Sequence, residues 1–289
     1  MLISIPELLK QSYQLYKNNF VLFIKYIAIN AVVPLLIGLL ASGGAILAPI
    51  LLVSPNMVIS IIAAAVVVAV AVGAAYVTTW FSFVLIKVIN NRQLGLDDAG
   101  FTTNMKSVQP LVWRGFGASV LASLIGGTPL VIALLGIAIT TFVATLSGGV
   151  ASTFLKLFFS LVAIYGIFHL IYFGIKLQFS MYGVLFENKK AVESLKYSAG
   201  LVKGRWWPIF GRMFVCGLAI WLIIAIINKI LGFIGALGSI FILMATFSVI
   251  TSIFSIIIWQ MIVIVLVVLY NDLKKMLSGD QTPTLPEIK

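Results

Sequence analysis

Six stretches of the chain, at roughly 21–43, 57–90, 112–145, 154–186, 207–228 and 240–270, run with little or no charge. Crossing ~30 Å of hydrocarbon takes about 20 residues of helix, and each stretch reaches that length. Inside lipid a backbone has to satisfy its own N–H and C=O groups, which a helix does within one segment. Composition decides between a lipid-exposed bundle and a water-soluble one. Of 289 residues, 62% are hydrophobic and 9% charged, against roughly 25% charged in a soluble domain. So little charge cannot cover a surface in water, and the apolar surplus has to face lipid. The expected fold is therefore all-α, a polytopic membrane helical bundle of six transmembrane helices forming a single integral membrane domain over residues 1–289. The longer stretches predict tilt, helix continuing past the lipid, or breaks at glycines such as Gly73, Gly136, Gly166 and Gly174.

Lysine and arginine give the orientation. One set of segments and span ends holds Lys10, Lys17 and Lys25, then Lys87, Arg92, Lys106 and Arg114, then Lys189, Lys190, Lys196, Lys203, Arg205 and Arg212, and finally Lys274, Lys275 and Lys289. The opposite connections hold Lys156 and Lys229, and Lys176 lies within a span. Basic residues flanking short loops are retained in the cytoplasm. With 16 of the 19 on one side, both termini are expected inside, in a cell (inner) membrane. The net charge of +11 then lines one flank of a bilayer, so the expected partner is anionic lipid headgroup rather than nucleic acid, with room for a protein partner. Glu7, Lys10, Gln11, Gln14 and Lys17 precede the first apolar stretch, which does not fit a secretory signal. The outer connections are expected to be turns at the lipid interface: Gly43 and Gly44 with Pro49 and Pro55, then Ser147, Gly148 and Gly149, then Gly232, Gly235 and Gly238. Residues 273–289 are expected to form a disordered cytoplasmic tail.

The chain also repeats itself. At a constant offset of 186, Glu7 pairs with Glu193, Leu9 with Leu195, Lys10 with Lys196, Ser12 with Ser198, Leu15 with Leu201, Lys17 with Lys203, and Phe20 falls on Trp206. Half that offset carries Phe20 to Trp113. This predicts three helical-hairpin units of about 93 residues, near 1–93, 94–186 and 187–272, each opening on a lead-in segment. In the first lead-in, Glu7, Lys10, Gln14 and Lys17 share one helical face, while Ile5, Leu8, Leu9, Tyr13 and Tyr16 lie mostly on the other. Ser4 followed by Glu7 fits a capping box, with Pro6 tolerated in the first turn. Such helices are expected to lie flat on the inner leaflet. Lys10, Lys17, Lys196, Lys203, Arg205, Trp206, Trp207 and Arg212 are the expected headgroup contacts, the indoles because they are apolar and hydrogen-bonding together.

The residues exclude several chemistries. All eight acidic residues lie in cytoplasmic segments or at span ends, so no mid-membrane carboxylate is available for a proton relay or intramembrane hydrolysis. His169 is the sole histidine and Cys216 the sole cysteine, which excludes a histidine metal cluster, a two-histidine mechanism and a disulfide within the chain. No metal, cofactor or catalytic residue is expected. One polar group stands inside a span: Tyr165, His169, Tyr172 and Lys176 share a face, with Gln178 and Ser180 nearby. Charge at that depth marks a candidate site in a cavity. The plainer reading is that Lys176 snorkels to the cytoplasmic interface and neutral His169 bonds a carbonyl or a tyrosine. Ser119, Ser123, Thr128, Thr78 and Thr79 are read as helix-packing groups bonding their own backbone.

The run Ala191-Val192-Glu193-Ser194-Leu195-Lys196-Tyr197-Ser198, with Leu201 to Gly211 after it, resembles a recurrent motif of prokaryotic multi-pass membrane proteins. These include the membrane domain attached to some glycerophosphodiester phosphodiesterases. Val267 to Lys275, with Tyr270 before Asp272, Lys274 and Lys275, is similar to their last-helix ending. The resemblance implies that catalysis in those enzymes belongs to a separate soluble barrel, for which no segment outside the six stretches is expected to be long enough. The expected function is thus a non-enzymatic lipid-binding membrane module, the alternative being a transporter or flippase for a lipid-like substrate.

Overall fold

The computed structural model describes residues 2–26, 28, 57–147, 150–237 and 241–278, and these are helices and their connections. Helix α1 spans Ile5–Asn18, and residues 20–26 resume as helix. Helix α2 is Met57–Gln93, α3 Phe101–Val108, α4 Val112–Ser147, α5 Val150–Leu177, α6 Ser180–Glu187, α7 Ala191–Val202, α8 Trp206–Leu237 and α9 Phe241–Ser278. A 3₁₀ turn at Gln109–Leu111 joins α3 to α4. Among the described residues, four segments are long and apolar enough to cross a membrane: Val58–Gln93, Phe101–Ala144, Thr153–Glu187 and Trp206–Ile230. Their flanks are exposed apolar surface, with Phe142, Phe154, Phe168 and Phe233 each about two-thirds exposed or more. Such a surface is stable in hydrocarbon and not in water.

The stretch expected at 21–43 lies mostly outside the described residues, as do Gly43, Gly44, Pro49, Pro55, Gly148, Gly149, Gly238 and residues 279–289. α9 covers the sixth stretch and continues through 273–278, where the tail was expected to begin. The excess length of the apolar stretches goes into longer helix. Gly73, Gly136, Gly166 and Gly174 all sit within unbroken helices, and α8 runs straight through Gly232 and Gly235, which the sequence suggested as an outer turn. The physical reason is that lipid-exposed backbone keeps its hydrogen bonds even where glycine propensity is poor. The break in the fourth stretch falls instead at Gln178–Phe179, between α5 and α6.

Residues 1–112 with 211–289 form one compact unit and 113–210 another. In the first, α1 packs on α9, α3 on α2, and α2 on α9. The start of α1 shows half of the expected capping box: the Ser4 hydroxyl accepts from the Glu7 N–H, while the Glu7 carboxylate accepts from Gln11 one turn on. Leu8 and Ser12 are fully buried, while Lys10, Tyr13, Gln14 and Lys17 are exposed, so Tyr13 leaves the seam on which the periodicity placed it. The backbone N–H of Ile3 donates to Asp272 on α9 at 2.9 Å. The Arg212 guanidinium donates to the carbonyls of Ile3 and Leu2 at 2.7 and 3.2 Å. Beside this clamp, Asn271 donates to the side-chain oxygens of Asn90 and Gln93, both at 2.8 Å, joining α9 to α2. The Asp98 carboxylate, just before α3, accepts from Tyr26 at 3.0 Å and from Asn104 at 2.7 Å.

In the second unit, α4 and α5 meet at glycines. A Cβ on Gly166 would stand 2.8 Å from the Leu130 backbone nitrogen, and one on Gly136 would strike the Phe159 ring. Small residues at these points let two helix backbones approach. α7 packs on α6 and on α5.

Candidate functional site

The polar face of the fourth stretch divides in two. The half around His169 lies beside the turn of α4 that contains Pro129. Proline has no N–H, so the carbonyl one turn back loses its donor and the ring disturbs that turn of helix. Donors from side chains serve the neighbouring carbonyls. The Thr128 hydroxyl bonds the Leu124 carbonyl, and His169 on α5 approaches the Gly126 carbonyl through Nδ1 at 3.2 Å. A carbonyl only accepts, so Nδ1 carries the proton. The imidazole is flanked by Tyr165 and Phe173, with ring centroids at 5.7 and 4.5 Å. His169 thus bonds a backbone carbonyl, one of the two partners read from the sequence. Pro129 is the residue that sequence reasoning passed over, and a proline in an apolar run was the available signal.

The half around Lys176 opens into a recess of about 400 Å³ lined by Tyr172, Lys176, Ala199, Gly200, Val202, Lys203, Gly204 and Trp206. It is assembled by the break after α5. There the Ser198 hydroxyl of α7 donates to the Lys176 carbonyl at 2.9 Å and accepts from the Phe179 N–H at 3.0 Å. One buried hydroxyl therefore bridges the backbone groups that the interrupted helix leaves open. α7 is oriented by Glu193, whose carboxylate accepts from the Lys190 N–H, and α6 ends on Asn188 in the left-handed region, at φ 50°. Arg114 donates to the Asn188 side chain at 2.9 Å, tying α4 to this turn. Gly204, at φ +74°, turns the chain from α7 into α8, a conformation glycine adopts without a Cβ penalty.

The turn brings Trp206 back over α5. Its indole N–H donates to the Tyr172 carbonyl at 3.1 Å, and its ring stacks on Tyr172 at 5.7 Å and on Phe210 at 5.1 Å. The Lys176 ammonium stands 5.3 Å from the Tyr172 ring centre and 5.2 Å from that of Phe173, within cation–π range. The recess so unites Tyr172 and Lys176, read as an intramembrane pair, with Lys203 and Trp206, read as headgroup contacts. Tyr165 and His169 stay outside it. Lys196 and Trp207 are exposed, and Arg205 is partly covered. Lys10, Lys17 and Arg212 belong to the other unit, and Arg212 is engaged by the Leu2 and Ile3 carbonyls. Among the described residues, no three His, Cys, Asp or Glu side chains come together as a metal site. Comparison with protein-family models, curated proteins and solved structures finds no match to this chain, so its function has to be argued from these side chains.

Proposed function

We propose that this chain is a non-enzymatic membrane module that binds anionic lipid at its cytoplasmic face, crossing an inner membrane six times with both termini inside. The observation that carries the reading is the correspondence of α1 and α7. At the repeat offset of 186, Ile5 and Ala191 both open their helices, Leu8 and Ser194 are both buried, and Ser12 and Ser198 are both buried. The same offset leaves Lys10 with Lys196, and Lys17 with Lys203, exposed. A repeated helix with one buried seam and two exposed lysines suits an inner leaflet. Three hairpin units fit the packing, because α3 rests on α2, α7 on α5 and α6, and α1 on α9, each lead-in against the helix that closes another unit. The likeness to membrane domains attached to phosphodiesterases belongs to the same proposal.

The test is thermal unfolding of the full chain in mixed micelles. Added phosphatidylglycerol is expected to raise the melting temperature and phosphatidylcholine is not. Replacing Lys10, Lys17 and Lys196 together by glutamine is expected to remove about half or more of that rise, at up to ~1 kcal/mol per basic residue near an anionic surface. Equal stabilisation by both lipids sinks the reading.

Transport is the second reading, favoured by one observation: the recess reaches Lys176. The module reading predicts that leaflet-to-leaflet movement of a fluorescent phosphatidylglycerol in proteoliposomes equals that of protein-free vesicles. Movement above that background, lost in Lys176→Met, would transfer the assignment to a flippase.

A further inference from the structure

The recess at the end of α5 has a lining of one sign. Lys176 and Lys203 are both among its lining residues, and no acidic residue is. Among the described residues neither lysine forms an ion pair. Two like charges about one open space favour an anion between them. The volume, about 400 Å³, lies within the ~300–1,000 Å³ of ordinary ligand pockets. We infer that this recess binds the phosphate headgroup of one anionic glycerolipid, held by Lys176 and Lys203, with the stacked rings of Tyr172 and Trp206 beside the glycerol. The inference rests on the anionic-lipid reading above and gives that reading a discrete site.

The surroundings select a lipid over a soluble phosphate. Phe168 lies one turn from Tyr172 on the same face of α5 and is 68% exposed; Tyr165, a further turn along, is 60% exposed. An acyl chain leaving the recess along this face meets continuous apolar surface, which a free phosphate ester has no use for. Trp206 is fixed by its bond to the Tyr172 carbonyl, so the aromatic wall is formed before the ligand arrives.

Gly200 supplies the test. A Cβ there meets nothing within 4 Å, and its residue lines the recess. Gly200→Phe therefore fills the space with a ring while leaving both lysines, and phenylalanine is tolerated in a helix better than glycine. The experiment is native mass spectrometry of the detergent-solubilised full chain, titrated with dioleoyl phosphatidylglycerol, dioleoyl phosphatidylcholine or glycerol 3-phosphate. One phosphatidylglycerol per chain is expected, at least tenfold tighter than either comparator. Lys176→Met and Lys203→Met are each expected to weaken it about tenfold, the loss of one charge-assisted contact, and Gly200→Phe is expected to weaken it as much with an unchanged melting temperature. Wild-type affinity in Gly200→Phe overturns the recess site. Equal binding of glycerol 3-phosphate overturns the lipid assignment. Phosphatidylglycerol stabilisation that survives Gly200→Phe but falls in the Lys10, Lys17 and Lys196 variant leaves the surface reading standing and removes the site; no preference for phosphatidylglycerol in the wild type removes both.

Discussion

Gly166→Ala is expected to destabilise the α4–α5 pair by about 1–3 kcal/mol, the usual cost of overpacking a close contact. The added Cβ would lie 2.8 Å from the Leu130 nitrogen and 2.9 Å from its Cα. These are backbone atoms, and only separation of the helices relieves the clash. Separation also strains the His169 contact to the Gly126 carbonyl, one turn from Gly166 on α5. Gly174, two turns along the same helix, is the control: a Cβ there meets nothing within 4 Å. Gly174→Ala is expected to be neutral, or stabilising by up to about 1 kcal/mol through helix propensity. Denaturant titration of the folded chain in micelles separates the two cases. Equal effects at Gly166 and Gly174 would show that the helices do not touch where the glycines place them.

Helices and caps were legible because their determinants are local. Of the six apolar runs read as spans, four are membrane-length helical segments among the described residues, and Ser4 with Glu7 marked the start of α1. The stretch around Glu193 and Lys196, read as a lead-in helix, is helical as α7. Partners made by distant chain were not legible. Arg212 looked like any interfacial cation, yet it donates to Leu2 and Ile3, over two hundred residues away in sequence. Lys176 and Lys203 fell into separate groups because the break that brings them together, at Gln178–Phe179, carries neither glycine nor proline. That break is stabilised from outside by Ser198. A serine in a repeat reads as a pattern element; its hydrogen bonds appear only once α7 is packed.

Ser198 and Ser12 stand 186 residues apart and are both fully buried, so the same substitution at the two sites isolates what the hydroxyl does. Ser198→Ala removes the hydroxyl that now bonds both the carbonyl of Lys176 and the N–H of Phe179. Ser198 and Phe179 are both buried, and losing a buried hydrogen-bond partner costs about 1–3 kcal/mol. Ser12→Ala removes a hydroxyl that has no hydrogen-bond partner among the described residues. Its expected effect is within about 0.5 kcal/mol of zero or stabilising, because the burial penalty of an unpaired polar group disappears with it. Unfolding free energies of the two variants check the contrast. The Lys176 backbone hangs on the Ser198 bond, so Ser198→Ala is also expected to weaken phosphatidylglycerol retention severalfold at a temperature where the chain is still folded, and Ser12→Ala is not. Loss of stability with unchanged retention would make Ser198 a fold-holding residue alone, without any part in positioning the lysine.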